Sequence, residues 1–207
     1  MNILKWAASK VPVDKGSQSP PPPSNIPRYG QPYGMVGVDR NWLMQIFSSV
    51  DKDGSGQITA TELQGALSNG SWTPFNAETV RLLISMFDNN GDGTVNFDEF
   101  YALWKYVTDW TSTFRGFDQD SSGSIDKHEL ANAMTAFGYR FSPHFYEVLL
   151  RKFDRSATGK VRFDDFIQLC IVLQILTASF RDKDTDFDGW VTISYEDFLT
   201  MVFQLRL

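Results

Sequence analysis

The apolar positions follow a helical pattern from Asp39 onward. Large apolar side chains recur at steps of three and four residues at Trp42, Leu43, Ile46, Phe47 and Val50. Asp39 stands where a helix N-cap is expected. The same reading along the whole chain predicts an all-α fold with about eight helices, over residues 39–50, 60–69, 76–87, 97–117, 127–137, 143–153, 163–183 and 195–205.

Between these predicted helices, a short Asp-rich loop with a central Gly recurs. The loops begin at Asp51, Asp88, Asp118, Asp154 and Asp184, at spacings of 37, 30, 36 and 30 residues. If each loop has 12 residues, only 18 residues separate loops two and three, and likewise loops four and five. Each short gap has room for one helix that serves two loops, whereas each longer gap holds two helices and a connector.

A β-branched residue occupies the eighth position of every loop, at Ile58, Val95, Ile125, Val161 and Val191. Such residues favour short antiparallel ribbons between neighbouring loops. We expect loop one to pair with loop two and loop three with loop four. The ribbon edge of loop five then has no partner within the chain, and a two-fold dimer through the fifth unit would supply one.

Loops one to three carry a full set of oxygen ligands for calcium. A 12-residue calcium loop offers ligands at positions 1, 3, 5, 7 (a backbone carbonyl) and 12, with Gly at position 6. The predicted ligands are Asp51, Asp53, Ser55, the Gln57 carbonyl and Glu62 in loop one; Asp88, Asn90, Asp92, the Thr94 carbonyl and Glu99 in loop two; and Asp118, Asp120, Ser122, the Ser124 carbonyl and Glu129 in loop three. Loop three adds Asp126 at position 9, so we expect it to be the strongest site electrostatically.

Loops four and five depart from this template. Loop four has Ser156 and Thr158 at positions 3 and 5, Arg162 at position 9 and the shorter Asp165 at position 12, so it is expected to be silent. Loop five offers Asp184, Asp186, Asp188 and the Trp190 carbonyl, but Tyr195 replaces the acid at position 12. Loss of the bidentate ligand predicts weak Ca²⁺ binding, or Mg²⁺ binding, at loop five.

Composition and charge make some classes of function and some cell locations less favoured than others. A net charge of -6 and a pI near 4.9 argue against nucleic-acid binding. Seven of the nine prolines fall within residues 1–37, which predicts a Pro/Gly-rich disordered tail before a domain over residues 38–207. The single Cys170 and the absence of a secretory signal pattern indicate a cytoplasmic or nuclear location. Because His128 and His144 are expected to be solvated and Cys170 lies in an apolar run, no nucleophile and base can be assembled, and an enzyme is not expected.

The five loops, the shared helices and the Pro/Gly-rich tail together resemble the penta-EF-hand family, over residues 39–207. The five units would lie near residues 39–73, 76–108, 106–140, 143–175 and 173–207. The resemblance implies dimerisation through the fifth unit, as a homodimer or with a related chain. It also implies calcium-dependent docking of Pro-rich protein segments, in a pocket lined by Val107, Trp110, Phe137, Arg140 and Tyr195.

The function that follows is a calcium sensor and adaptor. On binding calcium it would expose a hydrophobic pocket and dock Pro-rich partners in membrane trafficking, membrane repair or cell death, with calcium-dependent recruitment to membranes. A passive calcium buffer would need the same loops but no exposed groove. A regulatory subunit of a calpain-like protease would need a heterodimer through the fifth unit. These two alternatives stay open on the sequence alone.

Overall fold

The computed structural model describes residues 39–68 and 73–204. This part of the chain contains eight α-helices and one short antiparallel ribbon, which confirms the predicted all-α fold. The helices are α1 (Arg40–Val50), α2 (Ala60–Ala66), α3 (Ala77–Phe87), α4 (Phe97–Phe117), α5 (Lys127–Ala136), α6 (Pro143–Phe153), α7 (Phe163–Lys183) and α8 (Tyr195–Gln204). The strands are β1 (Ser124–Ile125) and β2 (Val161–Arg162). The predicted tail lies outside the described residues.

Two helices end earlier than predicted, and each has a local reason. Helix α2 stops at Ala66 because Leu67 adopts an extended conformation, and the Leu67 carbonyl accepts a hydrogen bond from the Phe75 N–H at 3.1 Å. Helix α5 stops at Ala136 because Gly138 takes a φ of 84°, a left-handed conformation that favours glycine at helix ends. The helix starts agree closely with the prediction, and a side-chain hydrogen bond from the N-cap residue fixes the starts of α1 to α6.

The predicted pairing of neighbouring loops is confirmed. Ile58 and Val95 exchange two backbone hydrogen bonds of 2.8 and 2.9 Å, which joins loops one and two. Strands β1 and β2 join loops three and four, with Ile125 opposite Val161. Within the described chain, Val191 of loop five belongs to no strand or bridge. The ribbon edge of the fifth unit is therefore open.

The two 21-residue helices, α4 and α7, run through the core and connect successive units. Trp110 of α4 is fully buried, and its ring meets the rings of Phe137 and Phe166 at centroid distances of 6.0 and 5.9 Å. Helix α7 is long and apolar enough to cross a membrane by length and composition, but most of that stretch is buried inside the protein, as in other core helices. No described residue of α8 is buried.

Candidate metal sites

All five loops share the same backbone geometry over their first six positions, whatever their side chains. The first residue of each loop is the C-cap of the preceding helix, at Asp51, Asp88, Asp118, Asp154 and Asp184. Positions 4 and 6 have positive φ in every loop, including the non-glycine residues Ser121, Ala157 and Phe187 at position 4. Loops four and five therefore keep the turn of a calcium loop, although they lack some of the ligand residues.

Loops one and three gather their carboxylates. Oxygen atoms of Asp51, Asp53 and Glu62 all lie within 4.8 Å of one another, and those of Asp118, Asp120 and Glu129 do the same. The backbone holds these groups in place. The Ser55 N–H donates to Asp51 Oδ1 at 3.0 Å, and the Ser122 N–H donates to Asp118 Oδ1 at 2.9 Å. Both clusters fit a hard divalent ion that takes several oxygen ligands.

The position-12 glutamates tie each exit helix to the start of its loop. Glu62 Oε1 accepts from the Lys52 N–H at 2.9 Å, while Oε2 accepts from the Thr59 N–H at 2.9 Å. Glu99 and Glu129 make the corresponding pairs of bonds in loops two and three. Each glutamate is also the third residue of a capping box that begins the exit helix. One carboxylate thus spans the loop and belongs to the helix that follows.

Hydrogen bonding keeps several predicted ligands ionised. The Ser55 hydroxyl and N–H lower the pKa of Asp53, and the Ser122 hydroxyl and N–H lower the pKa of Asp120 to about 2. The Thr59 N–H and hydroxyl lower the pKa of Glu62. These carboxylates therefore carry negative charge throughout the physiological pH range, which favours the binding of a divalent cation.

Loop two has the same backbone bonds but a less concentrated acid set. Asp88 Oδ2 accepts from the Gly93 N–H at 2.9 Å, as the first aspartate does in loops one and three. Asn90 turns its amide nitrogen toward Asp92 Oδ2 at 2.8 Å. In the described chain, no group of three loop-two carboxylates lies within 4.8 Å, unlike loops one, three and five. Calcium binding at loop two stays a prediction. It requires the side-chain amide oxygen of Asn90 and the backbone carbonyl of Thr94 as ligands beside the carboxylates.

Loop five gathers Asp184, Asp186 and Asp188 within 4.8 Å of one another. The Oδ1 atom of Asp184 is buried and has no hydrogen-bond partner, which fits an oxygen reserved for a cation. The other exit helices begin at position 10 of their loops, but α8 begins at Tyr195, which is position 12. Its cap is Ser194, whose hydroxyl bonds Asp197 at 2.7 Å. Position 12 of loop five therefore carries Tyr195, which is not an acid, at the first residue of its exit helix.

In loop four, the arginine that contacts the position-12 acid is Arg155, not Arg162 at position 9. The predicted cation, Arg162, reaches Thr73 at 3.3 Å, outside the loop. Instead Arg155, at position 2, donates from Nε to Asp165 Oδ1 at 3.0 Å and pairs with Glu78 of α3 at 2.5 Å. The Asn76 side chain also donates to Asp165, at 2.8 Å. The position-12 acid of loop four therefore links the loop to α3.

We expect Asp165 to make stability pH-dependent. Burial, and then the charge of Asp164, raise the pKa of Asp165 to about 6, although Arg155 opposes this. Because an unfolded aspartate has a pKa of about 3.9, the folded protein binds this proton more tightly, and the stability gained is lost as pH rises through 6. At about 1.4 kcal/mol per pH unit, the free energy of unfolding should fall by up to about 3 kcal/mol from pH 4 to pH 6 relative to Asp165→Asn. Urea unfolding of both proteins in chelator measures this, and parallel pH profiles would contradict it.

The predicted peptide-pocket residues separate into two groups. Val107, Trp110 and Phe137 are buried in the core. The indole N–H of Trp110 is buried too and makes no well-formed hydrogen bond. Arg140 and Tyr195 are exposed, the latter by 77%. The described conformation therefore offers two of the five side chains to a ligand, and docking at all five stays a prediction.

Comparison with known proteins agrees with this geometry. Residues 40–105 and 108–171 match a family model described as an EF-hand domain pair. The chain is 50% identical to sorcin of Schistosoma japonicum over 166 residues, covering 80% of this chain and 96% of that protein. It is 42% identical to human peflin over 174 residues, covering 84% of this chain but only 61% of peflin, less than two thirds of its length.

One solved structure is a homolog of programmed cell death 6 protein from Leishmania major Friedlin. It is 35% identical, covers 78% of this chain and 92% of its own, and superposes with a TM-score of 0.69. Five loops with the same turn at positions 4 to 6, two shared helices and these relatives lead to one conclusion: the chain is a calcium-binding protein that belongs to the penta-EF-hand family.

Proposed function

We propose that the protein is a calcium sensor and adaptor that binds Ca²⁺ in loops one, two and three. The observation that carries this proposal is the placement of Glu62, Glu99 and Glu129 in the first turns of their exit helices, each bonded back to the start of its loop. An ion bound by both the first aspartate and this glutamate would pull on the helix that enters the loop and on the helix that leaves it. Ion binding would then change helix packing, which a sensor requires.

The fifth unit supplies the surface for self-association in this proposal. Phe187, Trp190, Phe198 and Phe203 are exposed, with Trp190 and Phe203 more than 80% accessible. A cluster of exposed aromatic side chains beside an open ribbon edge is typical of an interface. A two-fold dimer would cover both features at once, whether with a second copy of this chain or with a related one.

Replacing Phe203 with Ser is expected to weaken the dimer by about tenfold or more, because a large apolar side chain at an interface contributes on the order of 1.4–3 kcal/mol. Sedimentation velocity across a micromolar concentration range measures the monomer–dimer equilibrium. Trp42→Ser is the matched control, since Trp42 is an exposed aromatic residue on the first unit. A wild-type chain that stays monomeric, or a Trp42 variant that dissociates equally, would contradict the assignment.

The proposed partners are Pro-rich protein segments, and the proposed setting is the cytoplasm with calcium-dependent recruitment to membranes. Extended Pro-rich peptides lose little entropy on docking and suit aromatic grooves. The buried group of Val107, Trp110 and Phe137 would have to become accessible when calcium binds. This requirement gives the proposal a definite structural consequence.

A calcium titration separates the sensor from a passive buffer. Calorimetry should detect calcium binding, and an apolar fluorescent dye should bind more strongly to calcium-loaded than to chelated protein. The dye response should be smaller in Glu62→Gln and Glu129→Gln variants. Calcium binding without any change in dye fluorescence would favour the buffer.

Mass measurement of the chain purified from its source tests the protease-subunit alternative, which needs a different partner chain.

A further inference from the structure

A lysine from loop four reaches the predicted metal ligands of loop three. Lys160 Nζ lies 3.3 Å from Asp120 Oδ2 and 3.1 Å from Ser122 Oγ. The ribbon causes this approach, because Lys160 immediately precedes Val161, which pairs with Ile125 of loop three. Asp120 and Ser122 occupy positions 3 and 5 of loop three. Loop four, which is predicted not to bind calcium, therefore places a cation against two predicted ligands of loop three.

Loops one and two provide an internal comparison. Loop one has the same side-chain ligands as loop three at positions 1, 3, 5 and 12. The residue of loop two that corresponds to Lys160 is Thr94, which is neutral and whose hydroxyl lies 2.6 Å from Asp92 Oδ1 of its own loop and 3.0 Å from Gln57 Oε1 of loop one. The two loop pairs therefore differ in the charge that the partner loop brings to the site.

We propose that Lys160 sets the calcium affinity of loop three by acting as a competing cation from the neighbouring loop. A divalent ion that takes Asp120 and Ser122 must displace the ammonium group, because the two cations repel each other and compete for the same oxygen atoms. Lys160 thus offsets the extra carboxylate, Asp126, which would otherwise make loop three the stronger site. The proposal rests on calcium binding at loop three, which is part of the proposed function.

The first test leaves loop three as the one loop with an intact position-12 glutamate in the full-length chain. In a Glu62→Gln/Glu99→Gln background, Lys160→Thr should tighten calcium binding by about fivefold, the size expected for a single water-exposed charge a few ångströms from an ion. Lys160→Arg keeps the charge and should stay close to the parent affinity. The gain should shrink at high ionic strength because exposed charges are screened. In a Glu129→Gln background, which reports loops one and two, Lys160→Thr should change nothing.

The second test needs no substitution. Calcium should release the Lys160 amine from Asp120, so its acetylation rate, followed by mass spectrometry, should rise on adding calcium. Lys105, paired with Asp109 within α4 at 2.9 Å, is the control whose rate should stay constant. Equal or weaker calcium binding by Lys160→Thr, or an unchanged Lys160 labelling rate, would overturn the proposal while leaving calcium binding at loop three intact. A loop three that binds no calcium in any variant would overturn both.

Discussion

Replacing Glu129 with Gln is expected to lower the calcium affinity of loop three by about 100-fold, or roughly 3 kcal/mol. Glu129 contributes one of the three gathered carboxylates, and its two oxygens also bond the Gln119 and Asp126 N–H groups. Glutamine has the same length and one acceptor oxygen, so it can preserve part of the helix cap. It cannot supply the negative charge or both ligand oxygens. Calorimetric titration of the chelator-treated protein measures the loss.

Glu147→Gln is the matched control for this substitution. Glu147 is an exposed acid of α6 that pairs with Lys127 at 2.7 Å and lies outside every loop. Removing its charge should leave the calcium isotherm unchanged. Glu62→Gln should remove a second, separate binding step, because loop one has the same carboxylate arrangement. A Glu129 variant that keeps the full number of tight sites would show that loop three does not hold the ion as inferred.

The helices and loops could be predicted because local chemistry specifies them. An Asp ends each entering helix, and the positive φ at position 6 calls for the glycine found there in every loop, for example Gly123. A Thr, Asn or Asp at position 9 with Glu at position 12 then starts the exit helix as a capping box. The Asp at position 1 and the Glu at position 12 are also predicted metal ligands, so the same residues predicted both the helix boundaries and the site.

Contacts between units could not be predicted, because they depend on how helices pack. Nothing in the spacing indicated that Arg155 would reach Glu78, 77 residues earlier, or that Lys160 would cross to loop three. Neither side chain is a metal ligand in the loop template, because Arg155 lies at position 2 and Lys160 lies at position 7, which offers only its backbone carbonyl. The available signal was a basic residue beside an acid-rich repeat.

Trp110→Ala is expected to destabilise the metal-free protein by about 3–5 kcal/mol, the range for removing a large buried aromatic ring. Trp110 has no exposed surface, and its ring lies about 6 Å from those of Phe137 and Phe166. Trp110→Phe should cost less, since it fills most of the space and removes an N–H that has no well-formed hydrogen bond. Urea unfolding in chelator, followed by far-ultraviolet circular dichroism, measures both differences.

The same two variants in saturating calcium decide whether Trp110 belongs to a docking pocket. A pocket that opens on calcium binding would expose part of the ring, so the destabilisation by Trp110→Ala should be smaller with calcium than without it. A side chain that stays in the core in both states would give equal penalties, because the same cavity would form in each. Equal penalties would require the Pro-rich partner to bind elsewhere, and the exposed aromatic side chains around Tyr195 would then be the surface to test next.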